Sequence, residues 1–79
     1  MNSETQEKLK QIFLIVLDQP DDTDVGQLRQ IGCSKWDSLA TVSLVAAVES
    51  EFGVDLNTAQ RERFTSYQSV ALLIDEILT

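Results

Sequence analysis

The sequence predicts an all-α fold: a bundle of four helices, three longer and one short, with a long first loop. Three observations carry this prediction. Apolar residues recur every three or four positions in three separate stretches, around Leu9, Leu44 and Val70. Each stretch opens on capping residues, and the first two close on Pro20 and Gly53. No strand-type alternation persists, and there is neither an internal repeat nor a low-complexity tract. With 79 residues, a single domain spanning 1–79 is expected, burying roughly 60–65% of its unfolded surface.

Composition narrows the function classes. There is one cysteine and no histidine, which excludes an intrachain disulfide, a Cys/His zinc site, a Cys–His pair and a Ser–His–Asp triad within the chain. The net charge is −7, from 13 acidic and 6 basic residues. That opposes binding to nucleic acid and to acidic membrane surfaces, and favours partners with basic docking surfaces. The bland account of the same charge is that it keeps a small domain soluble. The start of the chain is too acidic, and too short in its apolar part, for a secretory signal, and no run approaches membrane-spanning length. A cytoplasmic monomer is the expectation.

The first helix is predicted at 3–17. Ser3-Glu4-Thr5-Gln6 has the form of a capping box, and Leu9, Ile12, Phe13 and Val16 follow on one face. Leu14, Ile15 and Leu17 widen its apolar surface, so cover on more than one side is expected. Pro20 ends what can be helical.

Residues 18–37 are the least regular segment. Asp18, Asp21, Asp22 and Asp24 cluster near Pro20 and invite comparison with a calcium loop. With Gly26 at the loop's glycine position, Thr23 and Val25 fall at ligand positions and Gly32 falls where the bidentate glutamate belongs. The match fails, and a solvated acidic turn is the better account. An unstructured connection of about twenty residues is out of place in so small a domain. Val25, Leu28 and Ile31, three apart, predict a partly helical loop pinned to the core, with Gly32 turning it toward Trp36. Trp36 is read as an anchor of that loop, and Cys33 as a small packing residue.

The second helix is predicted at 38–52, about 22 Å long. Asp37 and Ser38 are both good caps, and one of them starts it. Ser38 then lies at the helix N-terminus, where free N–H groups and the dipole favour an attached anion such as a phosphate. Thr41, Leu44, Val45, Val48 and Phe52 share a stripe about 100° wide, the core face. Leu39, Val42 and Ala46 form a second, smaller patch near Ser38, separated from that stripe by Glu49 and bordered by Ser43 and Ser50. Either another segment covers this patch or it is a docking face, with Glu49 and Asp55 on its rim.

Asn57 is a plausible cap for a short helix at 58–64, with Ala59 and Phe64 buried and Arg61 and Arg63 solvated. Thr65-Ser66-Tyr67-Gln68 has the form of another capping box. It opens a last helix at 66–78, with Tyr67, Val70, Ala71, Ile74, Ile77 and Leu78 facing inward.

Laid out in this way, the chain resembles the acyl carrier proteins over nearly its whole length. The resemblance rests on a helix, a long loop, Asp37-Ser38-Leu39, a helix ending Glu51-Phe52-Gly53-Val54, a short helix, and a final helix opened by Thr65-Ser66. It implies that Ser38 is esterified with 4′-phosphopantetheine, taken from coenzyme A by a separate phosphopantetheinyl transferase. The arm's thiol then carries acyl groups as thioesters between acyl-loading and acyl-transferring enzymes. Asp37 would flank the phosphate and assist the transferase's metal-bound complex, and Leu39 and Val42 would face partners. The family also shelters acyl chains between its second and third helices. Such a protein is a substrate of enzymes, not an enzyme.

The chain departs from the fatty-acid carriers in its charges. Ala40, Ser43 and Ser50 stand where acids are common, the short helix reads Arg61-Glu62-Arg63, and Trp36 replaces a small residue. These departures point to a specialised stand-alone carrier of a lipid, polyketide or related pathway. A housekeeping fatty-acid carrier and an aminoacyl or peptidyl carrier are the neighbouring readings. From a different class, the same residues suit an unmodified helical interaction module in which Ser38 only caps.

Overall fold

The computed structural model describes residues 2–78. Its helices are α1 (Ser3–Val16), α2 (Ser38–Phe52), α3 (Thr58–Arg61) and α4 (Tyr67–Leu78), with one 3₁₀ turn, Val25–Gln27, in the first loop. The all-α expectation holds among the described residues.

Asn2 caps α1. Its side-chain oxygen accepts the Thr5 N–H at 2.8 Å, so the cap lies one residue before the predicted Ser3. An N-cap needs extended backbone and a short acceptor, and Asn2 has both. Leu9, Phe13, Leu14 and Leu17 are buried, whereas Ile15 is 75% exposed. The predicted cover of α1 on more than one side therefore stops short of Ile15. Two positions beyond Phe13, Ile15 lies nearly opposite the core face.

The first loop is tied to α4 by its backbone. Gln30 N–H donates to the Thr65 carbonyl at 2.9 Å and Tyr67 N–H to the Leu28 carbonyl at 3.0 Å. Gln68 Nε2 adds a bond to the Gly26 carbonyl at 3.0 Å. Leu28 packs against the core as expected, but Ile31 is 93% exposed. The helical spacing that linked them ends at Leu28, whose backbone is extended. In an extended chain residues three apart point to opposite faces, so Ile31 turns outward. Gly32 then takes φ +101°, which favours glycine, and redirects the chain to Trp36.

In α2, Leu44, Val45 and Val48 are buried and Gly53 closes the helix at φ 64°, as its position predicts. The short helix α3 ends at Arg61, before the predicted 64, because the next bonds tighten: Arg63 N–H reaches the Gln60 carbonyl at 3.1 Å and Phe64 N–H the Arg61 carbonyl at 3.2 Å. Leu56 and Phe64, on either side of this helix, are its core anchors, and Ala59 between them is exposed, contrary to expectation. Ser66, not Thr65, caps α4, accepting the Ser69 N–H at 3.0 Å. Val70, Leu73 and Ile74 form its buried face. Tyr67, Ala71 and Ile77 pack beside it as predicted, Leu73 joins them inside, and of the predicted face Leu78 alone is exposed, at 48%.

The core joins α1, α2 and α4 with Trp36, Leu56 and Phe64. Phe13 is its aromatic centre. Trp36 meets it edge-on at 5.4 Å and 73°, and Tyr67 at 5.0 Å and 78°. Burial, and then the charge of Glu7, push the Tyr67 phenol above its ordinary value of 10.0. The fold thus favours the neutral phenol. This contribution to stability is complete below pH 10.0 and falls as pH rises through the raised folded value. Urea titrations across that range should show a shallower alkaline loss in Tyr67→Phe than in the wild type.

Candidate functional site

The first turn of α2 resolves which residue caps it. Asp37 is the N-cap, its Oδ1 accepting the Ala40 N–H at 2.8 Å, and Ser38 is the first helical residue. The Asp37 carbonyl accepts the Thr41 N–H at 3.0 Å. It also accepts from the Thr41 hydroxyl at 3.2 Å, and the Trp36 indole N–H donates to that hydroxyl at 3.0 Å. None of these bonds uses the Ser38 hydroxyl, and Ser38 is exposed. The N–H groups of Ser38 and Leu39 precede the first intrahelical bond, so they face outward beside that hydroxyl.

The second apolar patch is uncovered. Leu39 is 75% exposed, Val42 is 65% exposed, and Ala46 also lies at the surface. Glu49 belongs to the seam between α2 and α3. Its Oε2 accepts the Leu56 N–H at 2.9 Å and lies 3.7 Å from Arg61 Nη2. Between these elements is a cleft of about 270 Å³ lined by Thr41, Val42, Val45, Ala46, Glu49 and Arg61. Val42, Val45 and Ala46 make part of its lining aliphatic, and Glu49 and Arg61 make part of it charged.

The two arginines predicted as solvated have partners: Arg61 faces Glu49, and Arg63 pairs with Glu76 at 2.7 Å. Trp36 is 2% exposed and anchors the loop as expected, while Cys33 is a half-buried free thiol packed at the core margin. Sequence reasoning missed the Trp36–Thr41 hydrogen bond. Thr41 falls on the core stripe of α2, and nothing in its spacing announces a buried donor arriving from the loop.

Comparison with known proteins agrees with this geometry. The chain is 32% identical over 75 residues to acyl carrier protein 4, chloroplastic, and acyl carrier protein 1, chloroplastic, of Cuphea lanceolata. It is 32% identical over 75 residues to a chloroplastic acyl carrier protein of Brassica napus. Each alignment covers 95% of this chain and 54–56% of the relative, so the chain spans about half the length of the curated relatives it matches. No family model matches, and no solved structure does. A helical bundle, an exposed serine opening α2 and relatives aligned along almost the whole chain agree: this chain is similar to the acyl carrier proteins over nearly its full length.

Proposed function

We propose that this chain is a carrier whose Ser38 hydroxyl is esterified with 4′-phosphopantetheine from coenzyme A by a separate transferase. The observation that carries the reading is the exposed Ser38 hydroxyl, left outside the bonds that build the cap. The site fits the group. The outward N–H groups of Ser38 and Leu39 and the positive end of α2 suit a phosphate diester, and open surface lies beyond. When attached, the group supplies a thiol on a flexible arm that holds acyl groups as thioesters.

The chain's own residues present the hydroxyl and identify it to partners. Asp37 sets an exposed carboxylate beside Ser38, suited to recognition by the transferase. The chain holds no histidine, so it offers the serine proton no imidazole acceptor of its own. Leu39, Val42 and Ala46 offer partner enzymes an apolar patch, with Glu49 at its edge, Asp37 at the N-terminal end of the helix, and the chain's net charge of −7 suited to basic docking surfaces. The protein is thus a substrate of enzymes and not a catalyst, acting as one carrier domain over 1–79 and as a monomer. Its setting in this reading is the cytoplasm, whereas the plant relatives are chloroplastic by name. Among the described residues no helix is long and apolar enough to cross a membrane.

The neutral residues Ala40, Ser43 and Ser50 along α2 support a specialised lipid, polyketide or related pathway over a housekeeping fatty-acid role. A standard fatty-acid ketosynthase and malonyl transferase that used the loaded protein as well as their own carrier would defeat this narrower reading.

The deciding experiment is the intact mass of the folded protein before and after incubation with coenzyme A and a broad-specificity phosphopantetheinyl transferase. A single phosphopantetheine increment is expected in the wild type and none in Ser38→Ala. No increment on folded wild type would leave Ser38 as the first residue of a helix in an interaction module.

A further inference from the structure

We propose that Trp36 and Thr41 are positioning residues for the Ser38 hydroxyl, holding through a relay of two side-chain hydrogen bonds the peptide that carries it. The inference rests on the carrier reading of Ser38.

The relay begins in the core. The Trp36 indole is 2% exposed and stands edge-on to Phe13, which is itself fully buried. Its Nε1–H donates to Thr41 Oγ1 at 3.0 Å. An indole N–H only donates, so Thr41 must accept here, and its own proton is left for the Asp37 carbonyl at 3.2 Å. The polarity is therefore fixed: indole to threonine hydroxyl to carbonyl oxygen. Each bond in such a chain polarises the next.

What the relay holds is the peptide plane between Asp37 and Ser38. That plane is rigid, so immobilising the Asp37 oxygen immobilises the Ser38 nitrogen and, one bond on, its Cα. The Thr41 N–H and hydroxyl both grip that oxygen, while Asp37 Oδ1 grips the Ala40 N–H. The helical φ of Ser38, the first residue of α2, then places its Cβ, and rotation about the Cα–Cβ bond remains free.

The loop's bonds to α4 end at Gln30, and from there Ile31 is 93% exposed, Gly32 is at φ +101°, and the Lys35–Asp18 pair at 3.4 Å is solvent-exposed. Exposed pairs of this kind add little stability. Cys33 packs at the core margin and its carbonyl accepts the Trp36 backbone N–H at 3.0 Å, which delivers the indole to the core. A helix end entered from such a loop frays unless something ties it to the core, and here Trp36 does so. Satisfying a buried indole N–H requires only an acceptor. Using a hydroxyl that passes its own proton to the cap carbonyl couples the core to the serine.

The test uses the full chain with coenzyme A and excess transferase, so that a single turnover is read. Thr41→Val keeps the shape and removes the hydroxyl. Its saturating single-turnover rate should fall about tenfold, since small misplacement of a reacting group is costly. The transferase concentration for half-saturation should not move, because Leu39 and Val42 are untouched. Thr41→Ser restores the hydroxyl and should restore the rate. Trp36→Phe keeps a ring against Phe13 and the Thr41–Asp37 bond, and should give a smaller loss in the same parameter.

Amide exchange at Ala40 and Thr41, measured without transferase, should quicken in Thr41→Val and recover in Thr41→Ser. A wild-type rate in folded Thr41→Val, a loss confined to half-saturation, or no rescue by Thr41→Ser would each overturn the proposal. If the wild type takes no phosphopantetheine, the carrier reading fails instead. Unchanged exchange in Thr41→Val would then remove the relay as well.

Discussion

Phe13→Ala is expected to cost about 3–5 kcal/mol of folding stability, the largest effect of any single truncation in this core. The ring is fully buried and is the common partner of Trp36 and Tyr67, both edge-on. Removing it forfeits the transfer of the ring from water, opens a cavity and deletes two aromatic pairings of about 0.5–1.5 kcal/mol each. A domain of this size has roughly 4–12 kcal/mol in all, so the variant should stand near its unfolding threshold at room temperature. The measurement is urea unfolding, where the midpoint should drop steeply while the slope holds. A loss under about 1 kcal/mol would mean that neighbouring side chains collapse into the space, and that Phe13 is not the hub its two ring partners indicate. The same variant should loosen the Ser38 end of α2, since Trp36 leans on this ring.

Val42→Asp is expected to do the opposite, leaving the fold intact and disabling the carrier. Val42 is 65% exposed, so the change should move stability by no more than about 0.5 kcal/mol. Removing an apolar side chain from the centre of a protein interface costs about 2 kcal/mol or more, roughly a thirtyfold loss in partner transfer. A carboxylate placed there must also be desolvated against the partner, which adds to the loss. The assay is acyl transfer from the loaded protein to its cognate enzymes, with melting curves beside it. Ile15→Asp is the matched control, because Ile15 is 75% exposed but lies on α1, away from the patch. Unchanged turnover of Val42→Asp with every cognate enzyme would remove the docking role. Glu49 is a poorer probe of the same surface: its carboxylate holds the Leu56 N–H, so truncating it disturbs the α2–α3 seam as well.

Much of this could be read in the chain. The wheel of α2 separated Leu44, Val45 and Val48 from Leu39, Val42 and Ala46, and burial divides them in the same way. Helical periodicity worked there because a long helix repeats its geometry for four turns. It failed at Ile31, where three-residue spacing was carried into extended chain, and at Ala59, where one turn of helix is too short for a stripe. Asn57 caps α3 as predicted and Asp37, one of two predicted candidates, caps α2. The caps of α1 and α4 were displaced by one residue, because Asn2 and Ser66 compete with equally able neighbours and backbone conformation decides between them.

By itself the sequence determined the elements and the chemistry available. Residue spacing sets helical faces locally, and an inventory without histidine leaves no imidazole in the chain to activate the Ser38 hydroxyl. Tertiary structure alone decided that the patch beside Ser38 stays open and that Glu49 is engaged at the α2–α3 seam. It also decided that the Trp36 indole reaches Thr41. Each of these depends on where a second element lies, and an N–H and its acceptor from different segments meet only once the core has drawn those segments together.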